Sequence, residues 1–237
     1  MSYLAFKSFA PNSACTNGTA RTAYIGSLEP GQGTCEDTIQ FLKMKAKLTS
    51  TSCVLAKDFY PTVQLPPALQ NISVSLGCTS DISGTIKSAF GVPFLSIEMY
   101  TNYTCTGPIS YTNYMAADGK CTPTFYLFYP VGSLNITYVP GKGNVTAQSW
   151  SSLDCSGDTV AVETMPASKL GTCQSPYTVG DGKMRFNVTY NPVSTSKPPA
   201  TEPAGSSPLA AISIIVLIAM IAIVIIRRQR TNYANLK

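Results

Sequence analysis

The side chains best equipped for chemistry in this 237-residue chain are its eight cysteines, Cys15, Cys35, Cys53, Cys78, Cys105, Cys121, Cys155 and Cys173. All of them precede an apolar run at 209–226, and the chain contains no histidine. Zinc would need two thiolates two to four residues apart, and no pair is that close. An even number of widely spaced cysteines ahead of a membrane segment reads instead as a disulfide framework formed in an oxidising compartment. Four similar units, ACTNGT to GQGTC, SCVLAK to SLGC, TCTGPI to DGKC and DCSGDT to LGTC, predict that neighbours pair. The expected bridges are Cys15 to Cys35, Cys53 to Cys78, Cys105 to Cys121 and Cys155 to Cys173.

Lack of histidine removes the commonest general base and the usual Ser-His and Cys-His nucleophile pairs. The twelve acidic residues are scattered, with no paired-carboxylate motif. No enzyme activity and no cofactor are expected. Asp154, Ser156 and Asp158 alternate like half of a calcium loop; without the later Glu, a polar hairpin turn is the simpler reading, and no metal site is expected. Trp150 and the tyrosines of TNYTC, SYTNYM and TFYLFY have faces that stack on sugars, although core and cross-strand packing is their commoner use.

The elements that must position these groups read as strands. Thr, Tyr, Val, Ile and Phe recur at period two between turn signals such as PGQG, PGKGN and two Asp-Gly pairs. Strands are predicted at 3–9, 38–48, 94–104, 124–129, 134–139, 159–164 and 184–190, with no helical stripe before the apolar run. In 38–48 a register step near Phe41 would turn Leu42, Met44, Ala46 and Leu48 inward. Lys43, Lys45 and Lys47 would then form an outward row, either facing an anionic partner or guarding a sheet edge. The expected fold class is all-β: a disulfide-stapled β-sandwich-like or repeated β-hairpin ectodomain over 1–190, divisible into halves of about 1–92 and 93–190, plus one C-terminal transmembrane helix.

Six N-x-Ser/Thr sequons, at Asn17, Asn71, Asn102, Asn135, Asn144 and Asn187, mark candidate glycosylation sites. Alternation along the predicted strands puts Asn102 opposite Leu95, Ile97 and Met99, Asn135 opposite Leu134, Ile136 and Tyr138, and Asn187 opposite Met184, Phe186, Val188 and Tyr190. Residues 191–208, rich in Pro, Ser and Thr, read as a stalk. Residues 209–226 contain Ser213 as their one polar side chain, and at about 1.5 Å per residue they reach roughly 27 Å, near the thickness of a bilayer core. Arg227, Arg228 and Arg230 follow directly, which orients residues 227–237 into the cytoplasm and the cysteines outward or into a lumen. A removable glycolipid-anchor signal would end in its apolar tail, and here eleven polar-rich residues follow. MSYLAFKSFAPNSAC lacks the features of a secretory leader, so an upstream segment is expected to be missing.

The tail RRQRTNYANLK holds Tyr233 and Leu236 in a Tyr-x-x-bulky pattern, a form that an extended peptide can insert into two pockets of a partner sheet. In tail and layout it resembles lysosome-associated membrane glycoproteins, which implies sorting by a clathrin adaptor. Four of the seventeen basic residues fall in the tail, where no acidic residue stands. The ectodomain is therefore near neutral and offers nucleic acid little to bind. The expected protein is a single-pass membrane glycoprotein with a non-catalytic binding or adhesion ectodomain for an extracellular or luminal protein or glycan. It would reside at the plasma membrane; the alternative is a structural glycoprotein of the endolysosomal membrane sorted by its tyrosine tail.

Overall fold

Antiparallel pairing organises nearly the whole folded region. The computed structural model describes residues 2–27, 33–60, 65, 67–100, 105–126, 129–139, 144–174, 177–179 and 182–192. In chain order these form β1 (Tyr3–Phe9), β2 (Ala20–Gly26), α1 (Cys35–Ala46), β3 (Val54–Leu55), α2 (Ala56–Phe59), α3 (Pro67–Gln70), β4 (Ser73–Thr79) and α4 (Ile82–Ala89). There follow β5 (Phe94–Tyr100), β6 (Ile109–Ala116), β7 (Asp118–Tyr126), β8 (Tyr129–Val139), β9 (Asn144–Trp150), β10 (Thr159–Pro166), β11 (Tyr177–Val179) and β12 (Gly182–Asn191). An eight-stranded sheet has the order β11-β12-β5-β6-β2-β1-β4-β3, and a four-stranded sheet the order β10-β9-β8-β7. The fold is thus predominantly β with four disulfides, as the composition predicts. The large sheet crosses residue 92 through the β2 to β6 pairing, whereas each disulfide stays on one side of it.

The inner faces of the two sheets meet in one apolar layer. Leu95, Ile97 and Met99 of β5 and Val188 of β12 pack with Leu134 and Ile136 of β8, Val145 of β9 and Met165 of β10. Further along the large sheet, Leu4 and Phe6 of β1 and Val74 and Leu76 of β4 are covered by Cys35, Ile39 and Leu42 of α1. On the opposite face Ala5, Ala20, Ala23 and Ile25 lie under Ile86 and Ala89 of α4. Alanines at these sheet positions leave room for a helix. Cover on both faces is why β1 and β2 are buried almost continuously instead of alternating.

Residues 38–48 are not a strand: they belong to the helix α1. Thr34 Oγ1 accepts the Asp37 N–H at 3.1 Å and Asp37 Oδ2 accepts the Thr34 N–H at 2.9 Å, a reciprocal capping box that starts the helix. Lys47 ends it in the left-handed conformation with its N–H on the Lys43 and Met44 carbonyls. The apolar period is 3.6: Cys35, Ile39 and Leu42 turn to the core, and Met44, expected inward, is 71 % exposed. The short α2 and α3 and the eight-residue α4 are further helices before the apolar run, and the Asp81 side chain caps α4 by accepting the Gly84 N–H. Among the described residues no helix is long and apolar enough to cross a membrane, and 209–226 lies outside them.

All eight cysteines are bridged, but not to their neighbours. The pairs are Cys15–Cys53, Cys35–Cys78, Cys105–Cys173 and Cys121–Cys155, with Cα separations of 5.7–6.0 Å. Cys15 follows β1 and Cys35 follows the returning β2, so the two stand at opposite ends of that hairpin. α1 then carries the chain back across the sheet, bringing Cys53 to Cys15, while Cys78 on β4 pairs beside Tyr3 and meets Cys35. In the same way the eight residues of β6 separate Cys105 from Cys121. Strand length, at about 3.3 Å per residue, overrules proximity in sequence.

Candidate binding face

The four-stranded sheet turns one face inward and the other to solvent. In β9 Val145 and Ser149 are buried, leaving Asn144, Thr146, Gln148 and Trp150 on the outer face. In β10 Glu163 and Met165 are buried, while Val160 and Val162 stand outward at 43 % and 58 % exposure. The register sets Val162 beside Gln148, Gln148 beside Asn135, and Thr159 beside Trp150, with a bulge at Val160. Half-buried Trp150 and the two exposed valines thus lie toward the β10 edge of this face, while on the β8 side of Trp150 the buried Ser133 is covered by the turn that carries Cys155. Thr146, Thr164 and Thr137 form a hydroxyl row across its middle.

Several contacts hold this sheet in place. Arg21 of β2, 8 % exposed, reaches from the large sheet to β7. Its Nη1 donates to Asp118 Oδ2 at 2.7 Å and its Nη2 to Asp118 Oδ1 at 2.8 Å, Thr122 Oγ1 at 2.8 Å and the Lys120 carbonyl at 3.1 Å. Burial pushes the Asp118 carboxyl up, but the hydrogen bonds and charge of Arg21 outweigh it and, with Lys120, hold the group below the ordinary carboxylate range. The Cys121–Cys155 bridge ties β7 to the turn after β9. Ser133 Oγ in β8 accepts the Cys155 N–H at 2.9 Å and donates to the Ser152 carbonyl at 2.9 Å. Gly132 permits the close approach of β9, since a Cβ there would lie 2.6 Å from the Trp150 carbonyl oxygen.

Asp154 sits inside this turn. Its Oδ1 accepts from the Ser156 hydroxyl at 2.6 Å and the Ser156 N–H at 3.2 Å, bonds that hold the carboxyl below its usual range. The Asp154, Ser156, Asp158 segment is thus a self-bonded polar turn, and among the described residues no group of three or more His, Cys, Asp or Glu is placed to hold a metal. Several of the aromatics that could stack on a sugar pack against other rings instead. Tyr111 stacks on Tyr24 with ring centroids 5.4 Å apart, Tyr114 meets Phe94 edge-on at 6.1 Å, and Phe125 meets Phe6 edge-on at 5.2 Å. Trp150 is half-buried on the outward side of β9, and Tyr103 and Phe128 lie outside the described residues.

The sequons fall in different settings. Asn17 and Asn71 are exposed in turns, and Asn144 is partly exposed where β9 begins. Asn135 is half-buried and its Nδ2 donates to the Gly119 carbonyl at 2.8 Å; an N-linked amide would retain one N–H for that bond. Asn187 pairs with Glu98 on β12. Asn102, Tyr233 and Leu236 lie outside the described residues.

Sequence reading overlooked Glu163. Its side chain is on the buried face of edge strand β10, 5 % exposed, with Oε2 lacking a hydrogen-bond partner among the described residues. Burial pushes its carboxyl above the ordinary value. The period-two signal was legible in TVAVETMP, where Glu shares parity with Ala161 and Met165.

Fold and face together define a disulfide-stapled β domain with a solvent-facing, partly apolar sheet surface. Compared with family models, curated proteins and solved structures, the chain matches none.

Proposed function

We propose that this chain is a single-pass membrane glycoprotein whose ectodomain is a non-catalytic binding module, displayed at the cell surface, with the outer face of β10-β9-β8-β7 as its contact surface. The observation that carries this reading is the pair of exposed valines, Val160 and Val162, beside half-buried Trp150 at the edge of a sheet that Arg21 and two disulfide-linked segments keep in place. A protein or glycan ligand suits such a strip, because aromatic and β-branched groups offer stacking and apolar area while the neighbouring Gln148, Asn135 and threonines offer hydrogen bonds. Four disulfides support an oxidising, extracellular or luminal setting. The apolar run at 209–226 and the arginines after it supply the anchor and its direction.

The test is binding of the purified full chain, held in lipid nanodiscs, to glycan arrays and to cell surfaces. Binding that is lost in Trp150→Ala and Val162→Glu, with the thermal midpoint kept in the second variant, supports the reading; binding unchanged in both removes this face from it. A second reading, residence in the endolysosomal membrane, rests on Tyr233 and Leu236 of the tail. Tyr233→Ala should then move the protein to the plasma membrane, and an unaltered distribution rejects it.

A further inference from the structure

Among the described residues, three of the four sheet margins are poorly suited to receive a further strand. β3 is two residues long and β11 three, while β7 carries Pro123 and two breaks in its register with β8. Short edge strands, proline and bulges all discourage edge pairing. The fourth margin, β10, is eight residues long, with no lysine and no proline before Pro166. Its outward Thr159, Val160, Val162 and Thr164 are exposed. What guards this edge is Glu163, turned inward beside Ala147 of β9 and 5 % exposed, with its Oε2 lacking a hydrogen-bond partner among the described residues.

The groups around that carboxyl do not compensate it. In the apolar layer it joins, the titratable side chains are Tyr111 of β6, Tyr138 of β8 and Tyr190 of β12, while β9 has none. By strand alternation Glu98 of β5 and positions 183 and 185 of β12 belong to the opposite face. Lys169, in the turn after β10, is exposed. Burial alone pushes the Glu163 carboxyl above its ordinary range. A strand added to β10 would cover this acid further, so pairing and protonation favour each other.

We infer that β10 is a self-association edge that opens in acid: a second copy adds its own β10 antiparallel to this one, about a twofold axis at Glu163, and the two carboxyls meet as neutral, hydrogen-bonded acids. The register is self-complementary. Beyond the bulge at Val160 the strand is regular from Ala161 to Pro166, and this axis sets Val162 opposite Thr164 and the small Ala161 opposite the large Met165 of the second copy. Facing side chains in an antiparallel pair have Cβ atoms about 4.5–5.5 Å apart, close enough for the O–H of one carboxyl to reach the other and give the unpartnered Oε2 a donor. With both groups ionised, the same register buries two like charges side by side, and the copies stay apart. A strand from another protein would have to bring its own donor to that point, whereas twofold symmetry supplies one here. One strand pair covers less than the ~800 Å² per partner of a stable interface, so the association is weak and reversible. It does not depend on the membrane anchor or on what the outer face binds.

The experiment is sedimentation equilibrium of the full chain in detergent micelles, over a series of protein concentrations, at about pH 7.5 and about pH 5, either side of a raised carboxyl. For the parent the expected result is dimerisation at least about tenfold tighter at the lower pH, because two acids each take up a proton on pairing. Glu163→Gln, uncharged at both, should dimerise equally at both. The double variant Val162→Lys, Thr164→Lys opposes lysines across the pair at exposed positions; it should stay monomeric at both pH values and keep its urea midpoint. A parent that is monomeric at both, or equally dimeric at both, overturns the inference. So does a Glu163→Gln variant that retains the pH response of the parent or never dimerises, and so does a folded double-lysine variant that dimerises like the parent. Should the lysines unsettle the fold, the comparison of the parent with Glu163→Gln decides by itself.

Discussion

Arg21 bridges the two sheets through a carboxylate that is itself largely buried, the Arg21 and Asp118 side chains being 10 % and 13 % exposed. Removing one partner strands the other, so Arg21→Ala should destabilise the domain by about 3–5 kcal/mol, read from urea unfolding. The folded pKa of Asp118 is depressed. Its contribution is therefore present above the unfolded value near ~3.9 and disappears as pH falls through the folded one. Asp118→Asn should be weaker than the parent at neutral pH and should lack that acid-side loss. Glu163 has the opposite sign, because burial without a partner raises its pKa. Stability falls as pH rises from the unfolded value, about 4.3, through the raised folded one. Glu163→Gln should increase the urea midpoint at pH 7 and have no such advantage below about pH 4; a deficit at pH 7 would mean that the carboxylate is held by an acceptable partner. The acid is placed where an added strand would bury it further, a device by which edge strands resist pairing.

At the scale of elements, α1 illustrates how a helix hides in a sequence that alternates. Leu42, Met44, Ala46 and Leu48 against Lys43, Lys45 and Lys47 is a period-two pattern, yet the capping box of Thr34 and Asp37 and the core stripe of Cys35, Ile39 and Leu42 prevail. The Thr-x-x-Asp signal was legible and its neglect caused the misassignment. Thr34→Ala should cost about 1 kcal/mol and lower helical ellipticity, whereas Thr34→Ser should change little. β9 and β10 behave differently: buried and outward residues alternate over most of their length because one face is solvated. Gly132→Ala tests the close approach of β8 and β9. Overlap with the Trp150 carbonyl should destabilise the domain and alter Trp150 emission.

For the molecule as a whole, the bridges are the sharpest test. Mass spectrometry of the unreduced, digested protein should return Cys15–Cys53, Cys35–Cys78, Cys105–Cys173 and Cys121–Cys155. Recovery of Cys15 joined to Cys35 would overturn the order of β1, β2 and α1 as well. The closed loops, 34 to 68 residues long, each restrict the unfolded chain by about 4 kcal/mol in the entropy view. Replacing Cys121 and Cys155 together by serine should lower stability by about 2–5 kcal/mol and loosen the β7 side of the candidate face first.

Local composition was enough to determine the β-rich class, the bridged state of all eight cysteines, β1, and the inward phase of Leu95, Ile97, Leu134, Ile136 and Val188, because strand period and turn chemistry act over a few residues. Only the tertiary structure decided which cysteines meet, that β2 joins β6 in one sheet, that Arg21 finds Asp118, and which sheet face turns outward beside Trp150. Those depend on partners 34 to 97 residues away, where strand lengths and crossings, and not local preference, bring the groups together.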